Sequence, residues 1–124
     1  MLNALMTFGA LSAATSVVLG AFGAHALDGR LDAKTTGWWQ TATLYALVHA
    51  VGIIALGIGK RGGLNGLDAP AIAFSVGIVL FSGSLYAMAL GAPRWFGAIT
   101  PLGGLAFLAG WALLIWIGLR ATAP

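Results

Sequence analysis

Charged residues divide the chain into four long uncharged stretches. These stretches are residues 1–27, 35–59, 69–93 and 95–119. A membrane-spanning helix needs roughly 20 consecutive apolar residues, so each stretch is long enough to cross a bilayer. The pattern predicts four transmembrane helices joined by short loops, at about residues 4–27, 38–59, 69–91 and 98–119.

Composition agrees with this pattern. Hydrophobic residues make up 60% of the chain and charged residues 7%, against roughly 45–50% and 25% in soluble domains. With four spans in 124 residues, almost no chain remains for a soluble domain. We therefore expect an all-α integral membrane protein, a four-transmembrane-helix bundle forming one domain over residues 1–124.

Local signals mark where the helices begin and end. Gly29 and Gly91 follow the first and third spans, and glycine readily adopts the left-handed conformation that ends helices. Polar side chains before a span can accept hydrogen bonds from its free N–H groups. The residues predicted to cap the four helix starts are Asn3, Thr35 or Thr36, Asp68 and Thr100.

Four spans place both termini on one side with the loop at 60–68, here called the terminal side. The connector at 28–37 and the loop at 92–97 lie on the other, the connector side. Tryptophan favours the membrane interface. We expect Trp38, Trp39 and Trp95 at the connector-side interface and Trp116 at the terminal-side interface, with Trp111 too deep for either.

Basic residues orient membrane proteins, because they are enriched on the cytoplasmic side. Here the count ties: Lys60, Arg61 and Arg120 lie on the terminal side, and Arg30, Lys34 and Arg94 on the connector side. Lys60 and Arg61 directly follow a helix end with no acid beside them, which favours termini in the cytoplasm.

Small residues are abundant, with nineteen glycines in the chain. In lipid, small side chains let helix backbones approach closely, and this packing replaces hydrophobic burial as the main attraction between helices. The glycines predicted to serve helix packing are Gly20, Gly23, Gly83, Gly103, Gly104 and Gly110. Such faces also suit a homo-oligomer or a membrane-protein partner.

Polar residues inside the spans are candidates for function, because an unpaired polar group in hydrocarbon is costly. Thr41, Tyr45 and His49 recur every four residues and form one stripe on the second helix. His25 lies three residues before Asp28, close enough for a side-chain pair. The candidate ligand-binding or polar cluster comprises His25, Gln40, Thr41, Tyr45, His49, Ser82, Ser84 and Tyr86.

Several chemistries lack the residues they need. There is no cysteine, two histidines give too few ligands for a metal hydrolase, and no catalytic triad or acid pair occurs. The scattered basic residues form no nucleic-acid-binding patch. We therefore expect no enzyme activity, no metal, no cofactor and no nucleic-acid partner. Four-helix drug–proton exchangers have this size, but they resemble this chain poorly because it lacks their membrane-embedded glutamate.

Four motifs, one in each span, occur in order along the chain. They are 20–25 (GAFGAH), 39–41 (WQT) with Tyr45 and His49, 81–86 (FSGSLY), and 100–104 (TPLGG) with 107–111 (FLAGW). In these motifs the chain resembles the family catalogued as domain of unknown function four-two-three, whose eukaryotic relatives are the transmembrane protein two-five-six group. The resemblance implies a small four-span protein of the bacterial inner membrane and implies no activity.

Three functions stay open at this point. The first is a non-enzymatic membrane component that binds lipid or a protein partner through its small-residue faces. The second is a small transporter or channel that uses the His/Tyr/Ser cluster. The third is a redox protein with haem bound between the two histidines.

Overall fold

The computed structural model describes residues 3–121, and this part of the chain is helical apart from its loops. All four helical segments are long and apolar enough to cross a membrane. The prediction of an all-α, four-span membrane protein is confirmed. The helices are α1 (Ala4–His25), α2 (Ala33–Arg61), α3 (Asp68–Ala89, with a π-helical segment at Ile78–Ser82) and α4 (Ile99–Arg120, after a 3-10 turn at Arg94–Ala98).

Helix α2 begins earlier than residue 38, where we predicted its start. The Asp32 carboxylate caps it, accepting hydrogen bonds from the Thr35 backbone N–H at 2.7 Å and from the Thr35 hydroxyl at 2.9 Å. The expectation that Thr35 or Thr36 would be the cap was therefore wrong. The same hydrogen bonds, the backbone one first, stabilise the ionised carboxylate and lower the pKa of Asp32.

Asn3 caps α1 as predicted, since its side chain accepts a hydrogen bond from the Met6 N–H at 3.1 Å. The other two predicted caps were wrong. Asp68 is the first residue of α3 and makes no capping bond; its carboxylate instead accepts hydrogen bonds from Lys60 Nζ at 2.7 and 2.9 Å. Thr100 lies inside α4, because that helix begins at Ile99, directly after the 3-10 turn.

The glycines predicted to stop the first and third helices have the expected left-handed conformation. Gly29 has a φ of 73° and Gly91 a φ of 105°. A residue with a Cβ would be strained at either position. These two turns fix the lengths of the connector-side loops.

The helices pack in chain order, and α1 lies at the edge of the bundle. Helix α1 packs extensively against α2 only, whereas α3 lies between α2 and α4. The main hydrophobic core sits among α2, α3 and α4; its buried residues are Ile53, Leu56, Leu67, Ala71, Phe74 and Phe107. Most large side chains of α1 face outward, as expected for a helix in contact with lipid.

The π-helical segment of α3 makes close contacts with both neighbouring helices, α2 and α4. Its wider turn is closed by the Gly83 N–H, which donates to the Ile78 carbonyl five residues back. The buried Ser82 hydroxyl donates to the Ala42 carbonyl of α2 at 2.7 Å. On the other side, the backbone at Phe81 lies so near Gly103 of α4 that a Cβ on Gly103 would overlap it.

Candidate functional site

His49 lies in the interior of the bundle, and both of its ring nitrogens are hydrogen-bonded. Trp111 Nε1–H, which can only donate, bonds to His49 Nε2 at 3.0 Å. Nε2 is therefore unprotonated, and Nδ1–H donates to the Tyr45 carbonyl at 2.7 Å. This arrangement selects the neutral Nδ1–H tautomer, because a proton on Nε2 would set two N–H donors against each other.

Aromatic rings enclose this imidazole. Phe107 stacks on it with centroids 3.6 Å apart, and Phe74 meets it edge-on at 5.1 Å. Trp111 in turn packs against Phe74 at 4.8 Å. His49 is only 4% exposed. We call the set His49, Phe74, Phe107 and Trp111 the aromatic core, and its contacts leave His49 no free nitrogen for iron or a transported ion.

Hydroxyl groups join the helices nearer the connector side. Thr43 donates to the Trp39 carbonyl at 3.0 Å, so the 2.6 Å bond between Thr43 and Tyr86 has the Tyr86 hydroxyl as its donor. By the same reasoning, Ser84 donates to the Phe81 carbonyl and accepts from the Thr100 hydroxyl at 2.5 Å. These bonds tie α3 to α2 and α4.

The remaining members of the predicted polar cluster lie elsewhere. Gln40, Thr41 and His25 are exposed. Over residues 3–121, His25 forms no ion pair with Asp28, contrary to expectation. Tyr45 is 41% exposed, at the rim of the aromatic core. The cluster is thus divided among the interior, interhelical contacts and the surface of the described chain.

The predicted packing glycines also differ in surroundings. Gly103, Gly110 and Gly23 have no room for a Cβ, which would overlap Phe81, Phe74 and Trp39 respectively. Gly20 and Gly104 are looser: a Cβ would lie 3.2 Å from Thr43 Cγ2 and 3.9 Å from Phe81 Cδ2. Gly83 was predicted to pack, but apart from its chain neighbours and the backbone of its own helix, no heavy atom of the described chain lies within 4 Å of its Cβ position.

The prediction that Trp39 lies at the connector-side interface is wrong, because its side chain faces α1 and not the lipid headgroups. It is 4% exposed, and its Nε1–H donates to the Leu19 carbonyl at 2.8 Å. The absence of a side chain at Gly23 makes the space for its indole. Trp38 and Trp116 lie instead beside basic residues, Lys34 and Arg120, whose charges are 5.3 and 5.2 Å from the ring centroids.

A cavity of about 660 Å³ opens between α1 and α2 at the connector side. We call it the connector cavity. Trp39 forms part of its wall, and Gly20, Gly23 and Ala24 of α1 line the facing side. Asp28, Thr36 and Gln40 lie at its interfacial end together with Leu27 and Leu31, and Thr43, Leu44 and Leu47 lie at its deeper end.

Sequence reasoning missed several of these residues. Trp111 was judged too deep for an interface, and that depth was the available sign of a partner on another helix. Thr43 and Thr100 were not placed in the polar cluster, although each is a hydroxyl within an apolar span. Among the described residues, no cluster of three or more metal-ligating side chains occurs.

Comparisons with known proteins give one family. The model of the family described as "Protein of unknown function (DUF423)" matches residues 19–104, which include every residue lining the connector cavity. A UPF0382 membrane protein of Staphylococcus saprophyticus is 41% identical, covering 92% of this chain and 95% of the relative.

Two further relatives come from other bacteria. The UPF0382 membrane protein YwdK of Bacillus subtilis is 38% identical over 92% of this chain and 94% of its own length. The UPF0382 inner membrane protein YgdD of Escherichia coli K12 is 39% identical over 90% of this chain and 86% of its own length. No solved structure matches this chain.

Proposed function

This chain belongs to the DUF423 family of membrane proteins, and from its geometry we propose that it is a non-enzymatic membrane component that binds a lipid in the connector cavity. The cavity is the observation that carries the proposal. Its volume of about 660 Å³ falls within the roughly 300–1,000 Å³ of small-molecule sites.

The position of the cavity favours a lipid over a soluble ligand. It begins where α1 ends at His25 and continues between two membrane-spanning helices. Its charged residue, Asp28, and the amide of Gln40 lie near the interface, and Leu44 and Leu47 lie deeper. A lipid has the same order of polarity, with its headgroup at the interface and its chains in the hydrocarbon.

The aromatic core supports a structural role for His49. Both of its ring nitrogens are bonded within the protein, to Trp111 and to the Tyr45 carbonyl. A proton carrier or haem ligand needs at least one nitrogen free for exchange or coordination. For this reason, the transporter and haem hypotheses have less support than lipid binding.

A substitution that fills the connector cavity tests lipid binding. Ala24 lines the cavity and is exposed, so Ala24→Phe would place a ring there without entering the buried contact between α1 and α2. Ala14, also exposed on α1, lies outside the lining and gives the matched control Ala14→Phe. Native mass spectrometry from mild detergent reports which lipids remain bound.

We expect one retained lipid in the wild type and in Ala14→Phe, and a large loss in Ala24→Phe. Equal lipid retention in the two variants would reject the cavity as the lipid site. The same spectra report stoichiometry. A defined oligomer without bound lipid would favour instead a protein partner, or a second copy, on the outward face of α1.

We also propose that both termini face the cytoplasm, on the support of Lys60 and Arg61 at the end of α2. Since the chain has no cysteine, single cysteines can report orientation without background. An impermeant maleimide on intact cells should label Ala33→Cys in the connector region and leave Asn65→Cys unlabelled until the membrane is opened. The reverse pattern would invert the topology.

A further inference from the structure

The three carboxylates of the protein have different surroundings. Asp32 caps α2 through Thr35, and Asp68 pairs with Lys60. Asp28 lines the connector cavity, and over residues 3–121 it makes no side-chain hydrogen bond and no ion pair. Asp32 and Asp68 therefore have side-chain partners within the fold, and the exposed Asp28 is the carboxylate without one among the described residues.

Asp28 also sets the charge of the connector cavity. Among the described residues that line the cavity, it is the only charged one. Arg30 and Lys34 belong to the same connector but lie outside the lining. The cavity therefore has a negative end, which is complementary to a cation and unfavourable for an anionic headgroup.

The extent of the cavity specifies the rest of the ligand. Its lining on α2 runs from Thr36 to Leu47, a distance of about 16 Å along the axis at 1.5 Å per residue. Gln40 offers an amide near the polar end, and Leu44 and Leu47 form the deep end. These features fit a small polar headgroup joined to an acyl chain.

We propose that the connector cavity selects a phospholipid with a primary ammonium headgroup, of the phosphatidylethanolamine type. The Asp28 carboxylate accepts hydrogen bonds from the ammonium group, and one acyl chain lies along Leu44 and Leu47. The phosphate stays at the aqueous rim, near the basic residues of the connector. This inference rests on the proposed lipid-binding function and adds the chemical class of the lipid.

Two related headgroups separate the contributions of charge and of hydrogen bonding. Phosphatidylcholine keeps the positive charge but has no N–H donor. Phosphatidylglycerol is anionic and would be repelled by Asp28. A hydrogen bond to a charged group contributes enough for a preference of about tenfold for the ammonium lipid.

The test is competition among these three lipids, with identical acyl chains and in equal amounts. Protein exchanged into the mixture is released and analysed by native mass spectrometry. We expect the ammonium lipid to exceed phosphatidylcholine by about tenfold and phosphatidylglycerol by more. In Asp28→Asn that preference should fall to about twofold or less, while total lipid binding persists.

Asp68→Asn is the matched control, because it removes a carboxylate at the opposite membrane face, and it should keep the wild-type preference. Each spectrum gives a ratio of lipids, so the result does not depend on yield. Equal binding of the three lipids by the wild type, or an unchanged preference in Asp28→Asn, would overturn the inference. If either of these results is found but Ala24→Phe still lowers lipid retention, the headgroup inference is wrong and the proposed lipid-binding function is retained.

Discussion

The aromatic core and the connector cavity share α2 but differ in every other respect. In the aromatic core, His49 has partners for both ring nitrogens and is enclosed by aromatic rings. In the connector cavity, Asp28 has no partner in the described chain, and the residues of α1 and α2 line open space. The first arrangement is complete without a ligand, whereas the second offers groups that a ligand could bind.

The difference shows why membrane depth alone does not identify a functional residue. His49 is a buried ionisable group within a membrane-spanning helix, and the rarity of such groups there usually marks function. Its contacts assign it to helix packing, whereas the exposed Asp28 lies in the cavity. We therefore expect core substitutions to change stability and cavity substitutions to change lipid binding.

The largest effect should come from Gly103, where α4 meets the backbone of α3. Gly103→Ala places a Cβ into Phe81, and the backbone must shift to relieve it, at a cost of about 2–3 kcal/mol or more. Gly83→Ala is the control, because its Cβ position is open. Steric trapping in bicelles would measure the free energy of unfolding of both variants. Equal values would contradict the close contact between Gly103 and Phe81.

A smaller loss is expected for Trp111→Phe, which leaves His49 Nε2 buried without its donor. We expect a cost of about 1–2 kcal/mol. Trp116→Phe, at an exposed tryptophan, should cost little. In the wild type, nitrogen-15 NMR should report the Nδ1–H tautomer of His49; the Nε2–H tautomer would show that the Trp111 bond is absent.

Tyr86→Phe should have a weaker effect still, because it removes a single hydroxyl bond to Thr43. Interhelical hydrogen bonds in membranes average about 0.6 kcal/mol, and we expect a loss of that size. Tyr45→Phe is the control, since the Tyr45 hydroxyl forms no hydrogen bond within residues 3–121. A loss as large for Tyr45→Phe, measured by steric trapping, would show that removing a tyrosine hydroxyl has this cost without the bond to Thr43.

The smallest effect concerns Asp32, which is outside the membrane. Its pKa is lowered in the folded protein by the Thr35 hydrogen bonds, so the cap stabilises α2 at neutral pH. That stabilisation is lost as the pH falls through the lowered pKa, because the carboxylate is then protonated. The protection of amides in the first turn of α2 against hydrogen exchange, relative to their intrinsic rates at each pH, should fall there. In Asp32→Asn, this protection should not change across that range.

The sequence predicted the spans well because hydropathy and charge decide where a chain crosses a membrane. It predicted chain turns where one residue type is required, as at Gly29. The predictions of helix caps failed where a polar residue had an alternative neighbour. Asp32 caps α2 in place of Thr35, and Asp68 binds Lys60 and does not cap α3.

The candidate sites could not be predicted in the same way. A helix that is apolar on all sides gives no periodic sign of which face meets its neighbour. The bond between His49 and Trp111 joins residues 62 positions apart, and it depends on how three helices are rotated about their axes. The connector cavity depends likewise on where α1 diverges from α2.

The π-helical segment at Ile78–Ser82 acts as a one-residue insertion in an otherwise regular helix. Each residue advances an α-helix by about 100°, so the insertion changes which way the rest of α3 faces. Deleting one residue within the segment would restore an α-helix and rotate Ser84 and Tyr86 away from Thr100 and Thr43. The extra residue in this turn therefore sets the rotation of the second half of α3, which directs Ser84 towards Thr100 and Tyr86 towards Thr43.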